Sequence, residues 1–387
     1  MSKQKIVILS TVFVDVLGFG IVIPILPFYV SEFGAKPVTI TLLFSVFSFC
    51  AFLSSPFLGA ISDRIGRRPI LLISIFSTAI GWFVFASADS IFFLFLGRII
   101  DGVAAGNFIS AQSYLIDIAK DEKERVANLG IIGATFGMGF ILGPIFGGIL
   151  SNVSHAFPFY AASFMAMGNG ITAFFILKES NHQRSIKKLS YNPFKPIFTA
   201  FLDPKIRLIF VVWLLLALIF VVVQSVFALF SQQVFGFNAF QTGLFFTIIG
   251  IIIAINQVAL LNKFWLKRFE EKNLERFMII WIGAGLLMMA SQNLTLFFIS
   301  LPFIGTGQAL LRVVIANQAI AQSDPTRKGE IMGTISSIMN GSMVVGPVLS
   351  GFLFEINPSI PFILAMILSM IAFFISNRSY NVKRSMT

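Results

Sequence analysis

The sequence predicts an all-α integral membrane protein with twelve transmembrane helices in two six-helix bundles, and three observations lead to this fold class. The first is composition: of the 387 residues, 57% are apolar and only 12% are charged, and the mean hydropathy is +0.89. A soluble domain is roughly half apolar and about a quarter charged. The other two observations are a series of apolar runs and an internal repeat.

Apolar runs of about 20 residues, the length that crosses a hydrocarbon core of roughly 30 Å as a helix, recur along the whole chain. The first run contains Asp15, is too long for a signal peptide and is followed directly by further runs, so we expect it to remain as the first helix. The twelve predicted spans are 6–30, 39–61, 70–88, 91–116, 126–150, 157–177, 207–234, 240–261, 276–291, 294–319, 331–355 and 359–377.

A polar segment at 178–206 divides the spans six and six and is interpreted as a cytosolic linker. The predicted domains are therefore a six-helix bundle at 1–177 and a second bundle at 207–387, which ends in a short cytosolic tail. When the second half is shifted back by 203 positions, the halves register without a gap over about sixty residues, and Gly143-Pro144 meets Gly346-Pro347. Such a repeat predicts two bundles related by an axis along the membrane normal, with a cavity between them near the midplane.

The net charge of +11 is explained by topology rather than by nucleic acid binding. With the amino terminus inside, 25 of the 28 Lys and Arg residues fall at cytosolic ends and loops. Only Lys36 lies outside, while Arg98 and Arg312 lie within spans. This asymmetry follows the positive-inside rule and predicts that both termini are cytosolic.

Enzyme chemistry has no support in the sequence. The single cysteine, Cys50, lies in the second span, and the two histidines, His155 and His182, lie in loops. No metal cluster or nucleophile triad can be built from these residues, and we expect no cofactor and no metal. No extra soluble domain suggests a sensor, and we expect a monomer in the lipid bilayer.

Asp15 is the first candidate functional residue, in the segment Asp15-Val-Leu-Gly18-Phe-Gly20 of the first span. It lies roughly 14 Å above the inner end of its helix, near the middle of the bilayer. An ionised carboxylate at that depth costs about 2.5 to 3.5 kcal/mol, so it must face a wet cavity, pair with a cation or bind a proton. A polar anchor between helices is the structural alternative.

The fourth span carries Arg98 and Asp101, which lie one helical turn apart on the same face. An adjacent guanidinium favours the charged form of a carboxylate and desolvation disfavours it, so the pair is a workable proton switch. The alternative is that the two charges simply neutralise each other.

The loop after the second span reads Gly59-Ala-Ile-Ser-Asp63-Arg64-Ile-Gly66-Arg67-Arg68-Pro69. Its glycines permit a sharp turn, Asp63 can engage the amino terminus of a neighbouring helix, and its arginines can clamp acidic partners. We interpret the loop as a charged latch at the inner gate. Its counterpart in the second half has Leu266 where Asp63 would fall, so an acidic latch is one-sided.

The fifth span carries Gly139, Gly143 and Gly147 at intervals of four residues, with Pro144 and Gly148 beside them. The glycines form a smooth stripe on which another helix can pack, and the proline adds a kink. Close packing and a hinge that seals the cavity are compatible interpretations.

These motifs, in this order, resemble the major facilitator superfamily, and within it the twelve-helix drug:H⁺ antiporter branch that includes the tetracycline and multidrug efflux proteins. The resemblance implies proton-coupled exchange, a bacterial cytoplasmic membrane location, a coupling role for Asp15, and roles for Arg98 and the Gly139-to-Gly148 segment as parts of the branch's motifs. Tetracycline exporters also carry acids in their third and ninth helices. Residues 70–88 and 276–291 contain none, which separates this chain from them.

Arg312 in the tenth span resembles an arginine of some multidrug exporters, but Ala309 stands where those proteins carry an acid. We therefore interpret Arg312 as a candidate for binding an anionic group of the substrate. Further candidate substrate contacts in the second half, each of which is alternatively a helix-to-helix hydrogen bond, are Gln224, Asn256, Gln308 and Asn340.

We therefore expect a proton-coupled antiporter that exports a small, drug-like organic molecule by alternating access. The alternative is an exporter or facilitator of a defined metabolite such as a sugar, a siderophore or a lipid head group. A membrane sensor, an enzyme and a channel are the remaining classes.

Overall fold

The computed structural model describes residues 2–181, 201–202, 206–323 and 328–384, and it describes the side chains of all of these except 328–329 and 378–384. Most of the predicted linker therefore lies outside the described residues. Within the described residues the regular structure is entirely helical, and twelve helical segments are long and apolar enough to cross a membrane. The predicted fold class of twelve spans is confirmed.

The helices begin and end close to the bounds expected from hydropathy. The amino-terminal half contains α1 Lys3–Ser31, α2 Pro37–Ile65, α3 Arg67–Ala86, α4 Ile91–Val103, α5 Asn107–Asp117, α6 Glu122–Leu150 and α7 Phe157–Ile176. The carboxy-terminal half contains α8 Arg207–Phe235, α9 Ala239–Ala254, α10 Glu271–Ala290, α11 Leu294–Ala321, α12 Lys328–Ile356 and α13 Ile360–Arg384.

Local sequence signals account for several helix ends. The side chains of Ser2, Asp121 and Asn293 accept hydrogen bonds from backbone N–H groups in the first turns of α1, α6 and α11. Pro37 and Pro158 occupy the first turns of α2 and α7, where a missing N–H costs nothing. Each of these residues satisfies or removes a backbone N–H that the first turn of a helix leaves without an intrahelical partner.

Three spans differ from the prediction. The fourth is interrupted between Val103 and Asn107, so that α4 and α5 together form one span, Ile91–Asp117. The eighth continues from α9 as a π-helix over Ile255–Trp265 and ends with the turn Leu266–Arg268. The ninth span, α10, begins at Glu271, five residues before the predicted start at 276. The prediction began too late because charged residues at the start of this helix lower the mean hydropathy there.

The described helices group into two compact units. The first unit contains α1, the part of α2 from Val46 onward, α3 to α7, and the segment Asn238–Thr247 at the start of α9. The second unit contains Pro37–Ser45 at the start of α2, α8, the part of α9 from Ile248 onward and α10 to α13. The boundaries thus pass within α2 and α9, whereas the predicted bundles follow the order of the chain.

Glycines let helices of the first unit approach closely. A Cβ added to Gly97 of α4 would lie 2.7 Å from the carbonyl oxygen of Gly81 in α3. A Cβ added to Gly81 would in turn lie 2.9 Å from the Cβ of Asp101. Real Cβ atoms do not tolerate such distances, so these two glycines bring the polar side chains of α4 directly against α3.

Candidate functional site

Asp15 faces the interior of the first unit from the middle of α1. Its side chain is half-buried, and its Oδ1 accepts a hydrogen bond of 3.0 Å from the amide Nδ2 of Asn107 in α5. One turn further along α1, a Cβ on Gly18 would contact the indole nitrogen of Trp82 at 3.5 Å. Asp15 of α1 thus faces α3 and α5.

The interruption of the fourth span positions Asn107. Residues 104–106 leave the helix, and the carbonyl groups freed there need donors in a water-free environment. Ser54 of α2 donates to the carbonyl of Gly102 at 2.9 Å, and Ser55 donates to that of Ala105 at 2.7 Å. The break is therefore held by α2, and Asn107 begins the new helix with its side chain only 4% exposed.

Arg98 and Asp101 are brought together, as the sequence predicted. Arg98 Nη2 lies 3.4 Å from Asp101 Oδ2, and both residues are buried, with 3% and 5% exposed. The hydroxyl of Thr78 lies beside Asp101. Within the described residues, Arg98 Nε and Nη2 make no hydrogen bond, so the ion pair is a charge contact without full hydrogen-bond geometry.

Aromatic rings enclose the Arg98 guanidinium. Its carbon lies 3.8 Å from the ring centre of Trp82, 5.0 Å from that of Phe85 and 5.3 Å from that of Phe47. Cation–π attraction is stronger where water is absent, about 2 kcal/mol or more, and it offsets part of the cost of burying this charge. Phe159 stacks on Trp82 at 5.6 Å and extends the aromatic cluster.

The two carboxyl groups thus occupy different environments. Asp101 has a cation and a hydroxyl beside it and is buried, whereas Asp15 has one neutral amide donor among the described residues and is partly exposed. A carboxyl group without a cation in a membrane is neutralised most readily by a proton. Asp101 is thus the neutralising partner of Arg98, whereas Asp15 has no cation beside it among the described residues.

The predicted latch loop forms an ion cluster at the predicted cytosolic end of the first unit. Asp63 Oδ1 lies 2.6 Å from Arg67 Nη1, and Arg67 Nε donates to Asp117 Oδ2 at 3.0 Å. Arg68 Nη2 donates to the carbonyl of Phe174 at 2.7 Å. Arg64 is half-buried, and Gly59 lies against α5, where an added Cβ would be 3.7 Å from the Cγ2 of Ile109.

Glu179, which the sequence analysis did not single out, caps the amino terminus of α3. Its carboxylate accepts hydrogen bonds from the backbone N–H groups of Arg67 at 2.7 Å and Arg68 at 3.2 Å, and from two N–H groups of its own segment. Burial raises the pKa of the Glu179 carboxyl, but these four donors together hold that pKa below its usual value. An acid does engage a helix terminus at this loop, but it is Glu179, while Asp63 pairs with Arg67.

The Gly139-to-Gly148 segment of α6 contacts two elements of the first unit. Added Cβ atoms on Gly139 and Gly143 would lie 3.0 Å from Val16 Cβ and 2.8 Å from Gly20 Cα of α1, and one on Gly147 would lie 3.2 Å from Ile25 Cγ1. On another face, a Cβ on Gly148 would lie 3.0 Å from the Cα of Phe240 at the start of α9, and Gly243 packs against the carbonyl of Pro144. The stripe therefore lies directly against the helix that carries Asp15.

The candidate substrate contacts of the second half lie in the second unit. Arg312 is exposed on α11 and makes no ion pair with any side chain in the described part of the chain. Gln224 and Gln308 are half-buried, and Asn340 is exposed. Asn256 is committed to its own unit, because its Nδ2 donates to Thr306 and its Oδ1 accepts from Trp265 at 2.9 Å.

The sequence did not predict a buried acid in α10, the ninth span. Glu275 is 5% exposed and accepts a hydrogen bond of 2.7 Å from Gln318 Nε2, and Ser376 lies beside it. It lies one residue before the predicted span, so the expectation of no acid there held only because that boundary was too late. Thr78 and Asn107 were within predicted spans, but a single polar residue in an apolar run carries no signal of its partner.

The fold and this site define a multi-pass membrane transporter. The family model of the Major Facilitator Superfamily matches residues 8–274 and 258–382, and the chain belongs to this superfamily. The members of the superfamily that this chain resembles are transporters and not enzymes.

Similar proteins include drug-resistance transporters of comparable length. The tetracycline resistance protein, class C, of Escherichia coli is 28% identical over 357 residues, which cover 90% of this chain and 89% of that protein. Multidrug resistance protein 2 of Bacillus subtilis is 28% identical, with 94% and 93% covered. The quinolone resistance protein NorA of Staphylococcus aureus is 28% identical, with 96% and 95% covered.

Similar solved structures include the human organic anion transporter MFSD10 (TETRAN), with a TM-score of 0.70, 21% identity, and coverage of 97% of this chain and 99% of that one. The nucleoside transporter NupG has a TM-score of 0.78 with 15% identity, and 98% and 99% are covered. At these identities the likeness concerns the fold alone.

Proposed function

We propose that this protein is a proton-coupled antiporter that exports a small organic molecule of the tetracycline and multidrug class. The observation that carries the proposal is Asp15: a half-buried carboxyl group in the middle of a membrane span, with a neutral amide as its hydrogen-bond donor. Such a group binds a proton at a modest energetic cost and loses it again when water or a cation approaches. The drug-resistance relatives support the choice of substrate class.

In the proposed cycle, the two six-helix bundles alternate the exposure of a central site between cytosol and exterior, with both chain termini in the cytosol. A proton from outside binds Asp15 and favours one orientation, and substrate from the cytosol favours the other. One charge moved across the membrane yields roughly 2.3 kcal/mol per 100 mV, which is enough for a substantial uphill substrate gradient.

The two motif regions have separate roles in this proposal. The cluster around Asp63, Arg67 and Asp117 holds the predicted cytosolic end of the first bundle and has to rearrange as the inner gate moves. The glycine stripe of α6 lets α1 slide at small steric cost, because side chains do not interlock at Gly139 and Gly143. Movement of α1 would carry Asp15 with it.

Arg312 supports a substrate with an anionic or zwitterionic form. A guanidinium within a membrane span is tolerated only when it is wet or paired, and the described side chains supply no counter-charge. We propose that Arg312 binds an acidic group of the substrate. Gln224, Gln308 and Asn340 are proposed as neutral hydrogen-bond partners for the same molecule.

The proposal is tested in everted membrane vesicles from cells that overproduce the transporter, with vesicles from cells without it as the control and an acidic interior imposed by a pH jump. A panel of tetracycline-like, quinolone-like and lipophilic cationic compounds is offered together with sugars and siderophores. Accumulation of at least one drug-like compound against its gradient, abolished by a protonophore, supports the proposal. Equilibration without accumulation would identify a facilitator, and accumulation of a metabolite alone would replace the proposed substrate class.

A further inference from the structure

The amide of Asn107 uses one of its two polar atoms twice and leaves the other unused. Nδ2 donates to Asp15 Oδ1 at 3.0 Å and to Thr78 Oγ1 at 3.1 Å. Oδ1 is buried and accepts no hydrogen bond from any described residue. Buried polar atoms almost always have partners, so this unpaired acceptor beside the Asp15 carboxyl group is unusual.

The two polar atoms of this amide suit different protonation states of Asp15. An ionised carboxylate only accepts hydrogen bonds, so it needs the Nδ2 donor of Asn107, as observed. A protonated carboxyl group carries an O–H that needs an acceptor. Rotation of the Asn107 amide by about 180° about its last bond exchanges Nδ2 and Oδ1, and then supplies that acceptor at the same place.

The same rotation changes what Thr78 can do. While Asn107 donates to Thr78 Oγ1, the hydroxyl proton of Thr78 is available to Asp101, which lies beside it. If Asn107 presented Oδ1 instead, the hydroxyl would donate to Asn107 and leave Asp101. Asp101 would then keep Arg98, at 3.4 Å, as its partner among the described side chains.

We propose that Asn107 and Thr78 are positioning residues that transmit the protonation state of Asp15 to the Arg98–Asp101 pair. Binding of a proton from water at Asp15 rotates the Asn107 amide and turns the Thr78 hydroxyl away from Asp101. This inference rests on the proposed role of Asp15 as a proton site. It adds a specific route of three links, from Asp15 to Asn107, from Asn107 to Thr78 and from Thr78 to Asp101.

Other charged groups do not face Asp15 from the helices packed around it. Charged residues are absent from 69–86 of α3, from 126–150 of α6 and from 157–176 of α7. In α4 and α5 the charged residues are Arg98, Asp101 and, at the far end, Asp117. The alternative to the hydrogen-bonded route is therefore direct electrostatic repulsion between Asp15 and Asp101.

Difference infrared spectroscopy separates the two routes. The full-length protein in liposomes is stepped through pH, the carboxyl band of Asp15 is assigned by its loss in Asp15→Asn, and that of Asp101 by its loss in Asp101→Asn. In the wild type, the Asp101 band should shift at the same midpoint at which Asp15 gains its proton. In Thr78→Val, Asp15 should still titrate while the shift of the Asp101 band is lost, and Thr78→Ser should retain that shift.

An Asp101 shift of wild-type size in Thr78→Val would overturn the proposal in favour of direct repulsion. Failure of Asp15 to titrate in the wild type would also overturn it. Asn107→Leu interrupts the route one step earlier and is used if Thr78→Val does not fold. It should also abolish the shift of the Asp101 band. Export assays are independent of these spectra. Accumulation of substrate without a proton gradient would contradict the proposed antiport. The route would still be supported if the Asp101 band shifted together with the titration of Asp15.

Discussion

Gly143 of α6 lies directly against Gly20 of α1, so closely that a Cβ on Gly143 would come within 2.8 Å of the Gly20 Cα. Gly20 is five residues from Asp15, less than two helical turns along the same helix. The small-residue stripe of α6 and the candidate proton site are thus joined through α1. Motion at one has a direct mechanical path to the other.

Gly143→Ala tests this contact. The added methyl group has to displace backbone atoms of α1, and overpacking of this kind typically costs about 1–3 kcal/mol. We expect a lower thermal unfolding midpoint in detergent and slower export, because α1 can no longer approach α6.

Gly137→Ala is the matched control for that substitution. Gly137 is on the same helix, but an added Cβ would meet nothing within 4 Å. It should leave export unchanged and should stabilise the helix by up to about 1 kcal/mol through propensity. Equal loss of export in both variants would show that α6 needs backbone flexibility rather than close contact with α1.

Glu179→Gln should weaken the cap of α3 in a pH-dependent way. Because the pKa of Glu179 is lower in the folded protein than its ordinary value of 4.5, its stabilising effect is fully present above pH 4.5 and is lost as the pH falls through the lower folded value. The variant should therefore unfold at a lower temperature than the wild type at neutral pH, and the difference should shrink in acid.

The control for Glu179 is Glu122→Gln, which removes an exposed carboxylate whose nearest cation, Arg125, is 4.0 Å away. Exposed pairs of this kind contribute about 0–1 kcal/mol, so little change is expected at any pH. A pH-independent loss of stability in Glu179→Gln would indicate that the amide replaces the carboxylate poorly for steric reasons, and that charge has no part in the cap.

Arg312→Gln tests the proposed anion site. If Arg312 binds an acidic group of the substrate, affinity for anionic and zwitterionic compounds should fall by about 1.5–3 kcal/mol, the scale of a hydrogen bond to a charged group. Lipophilic cations should be spared. Binding is measured by fluorescence quenching or calorimetry, with Arg268→Gln, whose guanidinium lies 5.0 Å from the ring centre of Phe264, as the control. Equal weakening of every charge class would identify Arg312 as structural.

Hydropathy predicted the spans well because lipid imposes a simple rule on composition and length. It could not predict the break before Asn107, since that break depends on hydrogen bonds from α2, and it did not predict the π-helix that begins at Ile255. Ser54 and Ser55, which satisfy the carbonyl groups at the break, lie about fifty residues earlier in the chain.

The candidate site was predicted in part for the same reason. Arg98 and Asp101 share a helix face at a spacing of three residues, so their pairing could be inferred from the sequence alone. Asn107 lies 92 positions from Asp15, and Glu179 lies 112 positions from Arg67. Contacts at such separations leave no periodic trace in one sequence, although the folded chain brings the groups within hydrogen-bond distance.

The central claim is that Asp15 carries the transported proton, and Asp15→Asn tests it most directly. Asparagine keeps the size of the side chain and an oxygen for Asn107, so folding and substrate binding should be retained. In proteoliposomes, the variant should catalyse downhill substrate exchange but should fail to accumulate substrate against its gradient when a pH difference is imposed. Asp89→Asn, in the exposed loop between α3 and α4, should behave as wild type. Export by Asp15→Asn at the wild-type rate and with the wild-type pH dependence would contradict the account.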